Sequence, residues 1–143
     1  MIVYCDASLV ISALADERHS ELARSFFETR DLRDVVVSGW VATEVASAAA
    51  RKQRRNDIEA GERAALLAKW SRLRSLVSET TIASDHFELA AALVDAGSRG
   101  LRAGDALHLA IAKRARLALA TLDCDLADAA EAVGVEVALR PPA

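Results

Sequence analysis

A run of β-favouring side chains, Val3-Tyr4-Cys5, ends in an acid, Asp6, and passes almost at once into an apolar helical pattern, Ser8-Leu9-Val10-Ile11-Ser12-Ala13-Leu14. A short strand without polar alternation is buried on both faces, as parallel strands of α/β proteins are. The acid closing it is flanked by apolar residues, and no basic residue lies close to it in sequence. Burying an unpaired carboxylate costs several kcal/mol. At the carboxyl end of a strand, however, Asp6 stands where open α/β sheets bind ligands. The feature demands that other segments bring something to meet it.

Those segments alternate between the two periodicities. Residues 20–29 read as a helix with Leu22, Phe26 and Phe27 on one side. Val35-Val36-Val37 is a second all-apolar strand, stopped by Ser38-Gly39. A helix over 41–55 starts apolar and ends in Arg51-Lys52-Gln53-Arg54-Arg55, positive charge that complements its dipole before Asn56-Asp57 breaks it. Residues 59–76 place Ala65, Leu66, Trp70, Leu73 and Leu76 at helical spacing. Thr81-Ile82-Ala83 is the expected third strand, and Ser84 the expected N-cap of a helix over 85–97. A helix over 104–115, a strand over 117–121, a helix over 123–133 capped by Gly134 and a strand over 135–139 complete the chain. Strands alternating with helices predict an α/β fold, a parallel sheet with helices on both faces. Right-handed crossovers then bring every strand's C-terminal end to one edge.

At 143 residues the chain fits one domain, 1–143, and its 52% hydrophobic content excludes a disordered class. A net charge of −3 provides no global field toward nucleic acid or membrane, so any nucleic-acid contact must be local. The apolar run broken by Asp6 is far too short to cross a bilayer. Cys5 and Cys124 have no paired-ligand spacing, and no signal peptide is evident; the expected setting is the reducing cytoplasm.

Four acids fall at strand ends or helix starts. Asp6 closes the first strand, Asp105 opens a helix, and Asp123 follows the strand ending in Thr121. Glu44 lies early in the helix after 35–37 and is the one acid between Asp34 and Asp57. Each has a plain alternative reading, because the helix dipole favours acids near N-termini by about 0.3–1 kcal/mol. Taken singly, Asp105 and Asp123 read first as capping residues. Should the four converge, their mutual repulsion raises their pKa values, and a divalent cation resolves the conflict. An all-carboxylate set selects a hard ion, Mg²⁺ or Mn²⁺. His19, His86 and His108 show no metal-ligand spacing, and His108, one turn beyond Asp105, reads as a partly buried helix residue.

In order along the whole chain, Val3-Tyr4-Cys5-Asp6-Ala7-Ser8, Glu44 after a Val-rich strand, Leu101-Arg102-Ala103-Gly104-Asp105-Ala106-Leu107-His108-Leu109-Ala110 and Leu119-Ala120-Thr121-Leu122-Asp123 resemble the PIN-domain ribonucleases, most nearly the VapC-type toxins of toxin–antitoxin pairs. The resemblance implies a three-layer α/β/α sandwich and a metal-dependent endoribonuclease. Carried over by position, Asp6, Glu44, Asp105 and Asp123 are the acidic quartet. Asp6, Asp105 and Asp123 are the ligands of Mg²⁺ or Mn²⁺, and Ser8, Thr121 and Asp125 are supporting groups. It further implies a homodimer and a VapB-like antitoxin that covers the pocket. The RNA phosphates are expected to meet Arg51, Lys52, Arg54, Arg55 and Arg102, and the rival reading of residues 51–55 is a solvated helix end. Leu66, Leu67 and Trp70 are candidates for a docking surface or for the core.

Three other readings compete. Asp123-Cys124-Asp125 resembles the DxD of haloacid-dehalogenase phosphatases, though there it follows the first strand. Glu44 with Asp123 and Asp125 mimics a Toprim-like site but leaves Asp6 and Asp105 unexplained. A catalytically inactive PIN-like module that only binds protein is the non-enzymatic alternative.

Overall fold

The computed structural model describes residues 1–97 and 100–143. Its elements run β1 (Val3–Cys5), α1 (Ala7–Leu14), α2 (Ser20–Glu28), β2 (Val35–Ser38), α3 (Gly39–Arg54), α4 (Ala60–Leu76), β3 (Ser78–Thr80), α5 (Ser84–Ala96), α6 (Ala103–Ala115), β4 (Ala118–Ala120), α7 (Cys124–Ala132) and β5 (Val137–Leu139). A 3₁₀ turn, Leu32–Asp34, leads into β2.

The five strands form one parallel sheet in the order β3-β2-β1-β4-β5. β1 is central, and all three of its residues are buried. It pairs Val3 with Val35 on one side, and Tyr4 with Leu119 on the other. The chain winds outward from β1 to β3, then returns to β4 and winds the other way. Right-handed crossovers place α1–α4 on one face and α5–α7 on the other. The helix packing agrees: α1 packs on α2, α3 and α4, whereas α6 packs on α5 and α7. The result is the expected three-layer α/β/α sandwich. Its direction of winding reverses between β1 and β4, and a crevice opens beside the strand ends at such a switch point.

Helix ends follow local chemistry. Asp6 N-caps α1 and Asp123 N-caps α7, each carboxylate accepting a backbone N–H, from Leu9 at 3.2 Å and Leu126 at 3.0 Å. Gly134, at φ +78°, ends α7 in a Schellman arrangement, with Val135 N–H donating to Ala130 and Gly134 N–H to Glu131. Asn56, at φ +59°, ends α3 in the same way.

Two expectations are corrected. β3 is not 81–83 but Ser78–Thr80, paired with Val36–Ser38 of β2. It is a polar edge strand, so it carries no apolar signal; Glu79 on it is ion-paired to Arg74, and charge of this kind discourages further strand pairing. The N-cap of α5 is Ala83 rather than Ser84, because His86 Nδ1 accepts the Ala83 N–H at 2.9 Å and draws the helix start back one residue. On α4, Leu66 and Trp70 are buried in the core and Leu67 packs against it, which decides for the core reading of that set. Among the described residues no helix is long and apolar enough to cross a membrane.

Candidate active site

Asp6 lies at the C-terminal end of the central strand, 2% exposed. Its backbone N–H still belongs to the sheet, donating to Ala120 of β4. Among the described residues its carboxylate is fixed by neutral donors rather than by an ion pair. Ser8 Oγ donates to both carboxylate oxygens, at 2.7 and 2.9 Å. Thr121 Oγ1 donates to Oδ2 at 2.7 Å. The Leu9 amide completes the set. Burial pushes the Asp6 carboxyl above the ordinary aspartate range, opposed by His108 and by these hydrogen bonds.

The same hydroxyls tie in the β4 end. Ser8 Oγ accepts the Leu122 N–H at 2.9 Å, and Thr121 Oγ1 accepts the Asp123 N–H at 3.0 Å. Asp6 and the loop carrying Asp123 are therefore one hydrogen-bonded unit across the β1–β4 switch point. Asp125, in the first turn of α7, is exposed and stands apart from that unit.

Asp105, in the first turn of α6, has a side chain 23% exposed and a carboxyl pushed up to about 6. Burial is the first cause, the negative charge of Asp123 the second, and Asp6 adds to it; His108 and Arg102 oppose. Asp105 thus lies within the fields of Asp123 and Asp6. Arg102 offers Asp105 only a 3.9 Å contact from a side chain 82% exposed.

Glu44, from α3, reaches the site by another route. Its Oε2 is 2.9 Å from His108 Nε2, and its Oε1 lies over Gly104. His108 is 1% exposed, so the expectation of a partly buried residue is replaced by a fully buried imidazole bonded to the acid. It is buried because α6 is apolar on every face from Ala106 to Ala112, packed between the sheet, α5 and α7.

The basic residues are dispersed. Arg102 stands beside Asp105. Arg51, Lys52, Arg54 and Arg55 begin seven residues beyond Glu44, about 10 Å or more along the α3 axis at 1.5 Å per residue. Lys52 is committed to Glu17 at 2.6 Å, while Arg51, Arg54 and Arg55 are exposed.

The oxygen donors suit a hard divalent cation in kind, and the Asp105 carboxyl is raised by burial first and then by the charges of Asp123 and Asp6. Among the described residues no three His, Cys, Asp or Glu side chains stand close enough to grip one ion by themselves. Asp6, Asp105 and Asp123 would accordingly share such an ion with water.

Sequence reasoning passed over Tyr4, Ser38, Gly104 and the tie of His108 to Glu44. Tyr4 reads as a strand residue and Ser38 as the stop of the 35–37 strand, and the i, i+3 spacing of Asp105 and His108 is the one hint of a common face.

A doubly wound parallel domain with carboxylates gathered at its switch point defines a class of α/β proteins with an acidic crevice. The match of residues 3–132 to the PIN domain family makes the assignment specific: the chain belongs to that family. Solved structures agree in fold. A Mycobacterium tuberculosis VapC20 structure, described as a Sarcin-Ricin loop cleaving toxin, is 22% identical with a TM-score of 0.70, covering 93% of this chain and 95% of that one. FitAcB from Neisseria gonorrhoeae is 17% identical, TM-score 0.69, covering 99% and 98%. VapBC2 from Rickettsia felis, bound to a DNA fragment from its promoter, is 12% identical, TM-score 0.69, covering 97% and 98%. At such identities the likeness is one of fold. A comparison with curated protein sequences yields no match. The family match displaces the haloacid-dehalogenase and Toprim readings, and Asp123 follows β4 rather than the first strand.

Proposed function

We propose that the protein is a Mg²⁺- or Mn²⁺-dependent endoribonuclease that hydrolyses RNA phosphodiester bonds and serves as the toxin of a toxin–antitoxin pair. The observation that carries the reading is the buried Asp6, locked by Ser8 and Thr121 to the Asp123 loop and electrostatically coupled to Asp105. Asp105 lies in the fields of Asp123 and Asp6, a concentration of negative charge that a divalent cation would relieve.

In this reading Asp6, Asp105 and Asp123 would hold the ion. When bound, it would supply Lewis-acid polarisation of the phosphodiester. Glu44 would orient the attacking water and accept its proton. Ser8 and Thr121 prevent Asp6 from rotating, because each of its oxygens already has a fixed donor. Arg102 meets a substrate phosphate. Arg51, Arg54 and Arg55 serve a longer RNA that follows α3, with Lys52 released only if its pair with Glu17 opens. Asp125, exposed in the first turn of α7, is the supporting carboxylate of the proposal.

Family membership and the toxin description of the VapC20 neighbour support the role. The antitoxin proposal takes its support from the VapBC2 and FitAcB neighbours; an arginine of a VapB-like partner suits a carboxylate-lined crevice. A homodimer in the cytoplasm completes the proposal.

The test is RNA cleavage with Mg²⁺ or Mn²⁺ by the wild-type chain and by Asp6→Asn, which keeps the size and one acceptor oxygen. Metal-dependent cleavage by the wild type that drops at least about a hundredfold in the variant supports the reading. Equal cleavage by both sinks it, and a folded wild type without cleavage favours the protein-binding module.

A further inference from the structure

The buried polar groups behind the acidic crevice form one line. Ser38 Oγ and Tyr4 Oη are 2.8 Å apart, Tyr4 Oη and His108 Nδ1 are 2.8 Å apart, and His108 Nε2 lies 2.9 Å from Glu44 Oε2. Ser38, Tyr4 and His108 are all essentially inaccessible to solvent. The line joins the end of β2, the middle of β1, the core helix α6 and the first turns of α3. A buried imidazole needs both ring nitrogens satisfied, and the bond at one fixes what the other can do. The Tyr4 hydroxyl donates or accepts. When the ring is neutral, Ser38 donates to Tyr4, Tyr4 donates to Nδ1, and the proton is left on Nε2. When the ring is charged, Nδ1–H donates to Tyr4, whose own proton turns to Ser38. Nε2–H points at Glu44 in both cases.

Gly104 faces the other oxygen. A Cβ at that position would lie 2.9 Å from Glu44 Oε1 and 3.3 Å from Cζ2 of Trp40. The carboxylate therefore occupies a slot with a hydrogen-bond pin on one side and a bare Cα on the other.

We infer that His108 is a positioning residue for Glu44: oriented by Tyr4 and Ser38, it pins Oε2 and leaves Oε1 to serve the water, in a slot that only glycine at 104 leaves open. This rests on the nuclease reading for its functional consequence, but its geometry is measurable without it. A histidine held merely as core filling acts, when replaced, on folding alone.

Two measurements test it. In ¹⁵N-histidine NMR of the intact wild-type chain at alkaline pH, His108 is expected as the Nε2–H tautomer, with Tyr4→Phe weakening that preference. An Nδ1–H tautomer overturns the inference whether or not the protein cleaves RNA. In steady-state cleavage of a mixed-sequence single-stranded RNA with Mn²⁺, His108→Gln keeps a donor near the Nε2 position. It is expected to hold kcat within about threefold, whereas His108→Leu lowers kcat about ten- to hundredfold at nearly constant KM. Gly104→Ala reaches Glu44 from the opposite side and is expected to lower kcat about tenfold while melting as the wild type does. Wild-type kcat in a folded His108→Leu or Gly104→Ala, or equal losses in the Gln and Leu variants, overturns it. If the Leu variant does not fold, Gly104→Ala and the NMR decide. Cleavage that survives Asp6→Asn refutes the nuclease reading instead and leaves the tautomer result to judge the slot.

Discussion

Thr121 Oγ1 donates to Asp6 Oδ2 at 2.7 Å across 115 positions of sequence, while accepting the Asp123 N–H at 3.0 Å. One hydroxyl thus ties the Asp6 carboxylate to the Asp123 backbone, two acids that follow neighbouring strands. Thr121→Val keeps the shape and removes both bonds. Leaving a buried amide short of a partner costs about 1–3 kcal/mol, and a charged carboxylate oxygen more. The variant is expected to lose about 2–4 °C in Tm per kcal/mol and to cleave RNA at least about tenfold more slowly. Calorimetry with parallel cleavage assays checks it; unchanged activity at reduced Tm would show that the tie is structural only.

The proton affinity of Asp105 makes a signed statement about pH. Its carboxyl is pushed up to about 6 in the folded state, from an ordinary value of 3.8. Folded protein therefore binds more protons than unfolded protein between those values, and stability falls as pH rises through the window. In metal-free protein, Asp105→Asn is expected to raise Tm at pH 7 relative to the wild type, with the difference vanishing near pH 4. Equal Tm values at pH 7 would contradict the burial and like-charge repulsion that raise the Asp105 carboxyl.

The same repulsion predicts a response to cations. Mg²⁺ or Mn²⁺ is expected to raise the wild-type Tm at pH 7, by an amount that follows RT ln(1 + [L]/Kd). Asp105→Asn and Asp123→Asn should each abolish most of the rise. A titration followed by thermal melting suffices, and an identical rise in both variants would place the ion elsewhere.

Arg102 is the one arginine of the proposed RNA-contacting set that stands beside an acid of the crevice. Arg102→Ala is expected to raise KM for RNA about three- to tenfold with little change in kcat, and to flatten the salt dependence of cleavage. The triple change Arg51→Ala, Arg54→Ala, Arg55→Ala should matter for long RNAs and not for short ones. An equal effect of the triple change on a tetranucleotide would assign that helix end a direct role at the bond being cut.

Self-association is open to a direct check. Phe87 and Val94 of α5 are exposed at 58% and 40%, beside a recess lined by Trp40, Ala90, Gly104 and Leu107. Light scattering is expected to give twice the chain mass at micromolar concentrations. Phe87→Glu should return it to the single-chain mass, and a wild-type monomer would end the homodimer proposal.

Much of this molecule was legible in one dimension. Val3-Tyr4-Cys5 and Val35-Val36-Val37 have no polar alternation, so they could only be strands covered on both faces, and helices between them followed. Asp6, Glu44, Asp105 and Asp123 stood out because each interrupts or ends an apolar segment. β3 was not legible: an edge strand is half solvated, and Ser78-Glu79-Thr80 reads as a loop until β2 pairs with it. Nor was the role of His108. Its partners Tyr4 and Glu44 are 104 and 64 positions away, and only the packing of α6 against β1 and α3 turns three ordinary residues into a line. The sequence by itself determined the layers and where the acids could be, since burial and periodicity are local properties of the chain. Which oxygen of which acid is pinned, by what donor, and which carboxylates repel was decided by the tertiary structure alone, because hydrogen bonds and Coulomb forces depend on distances in space that parallel crossovers set and sequence spacing does not.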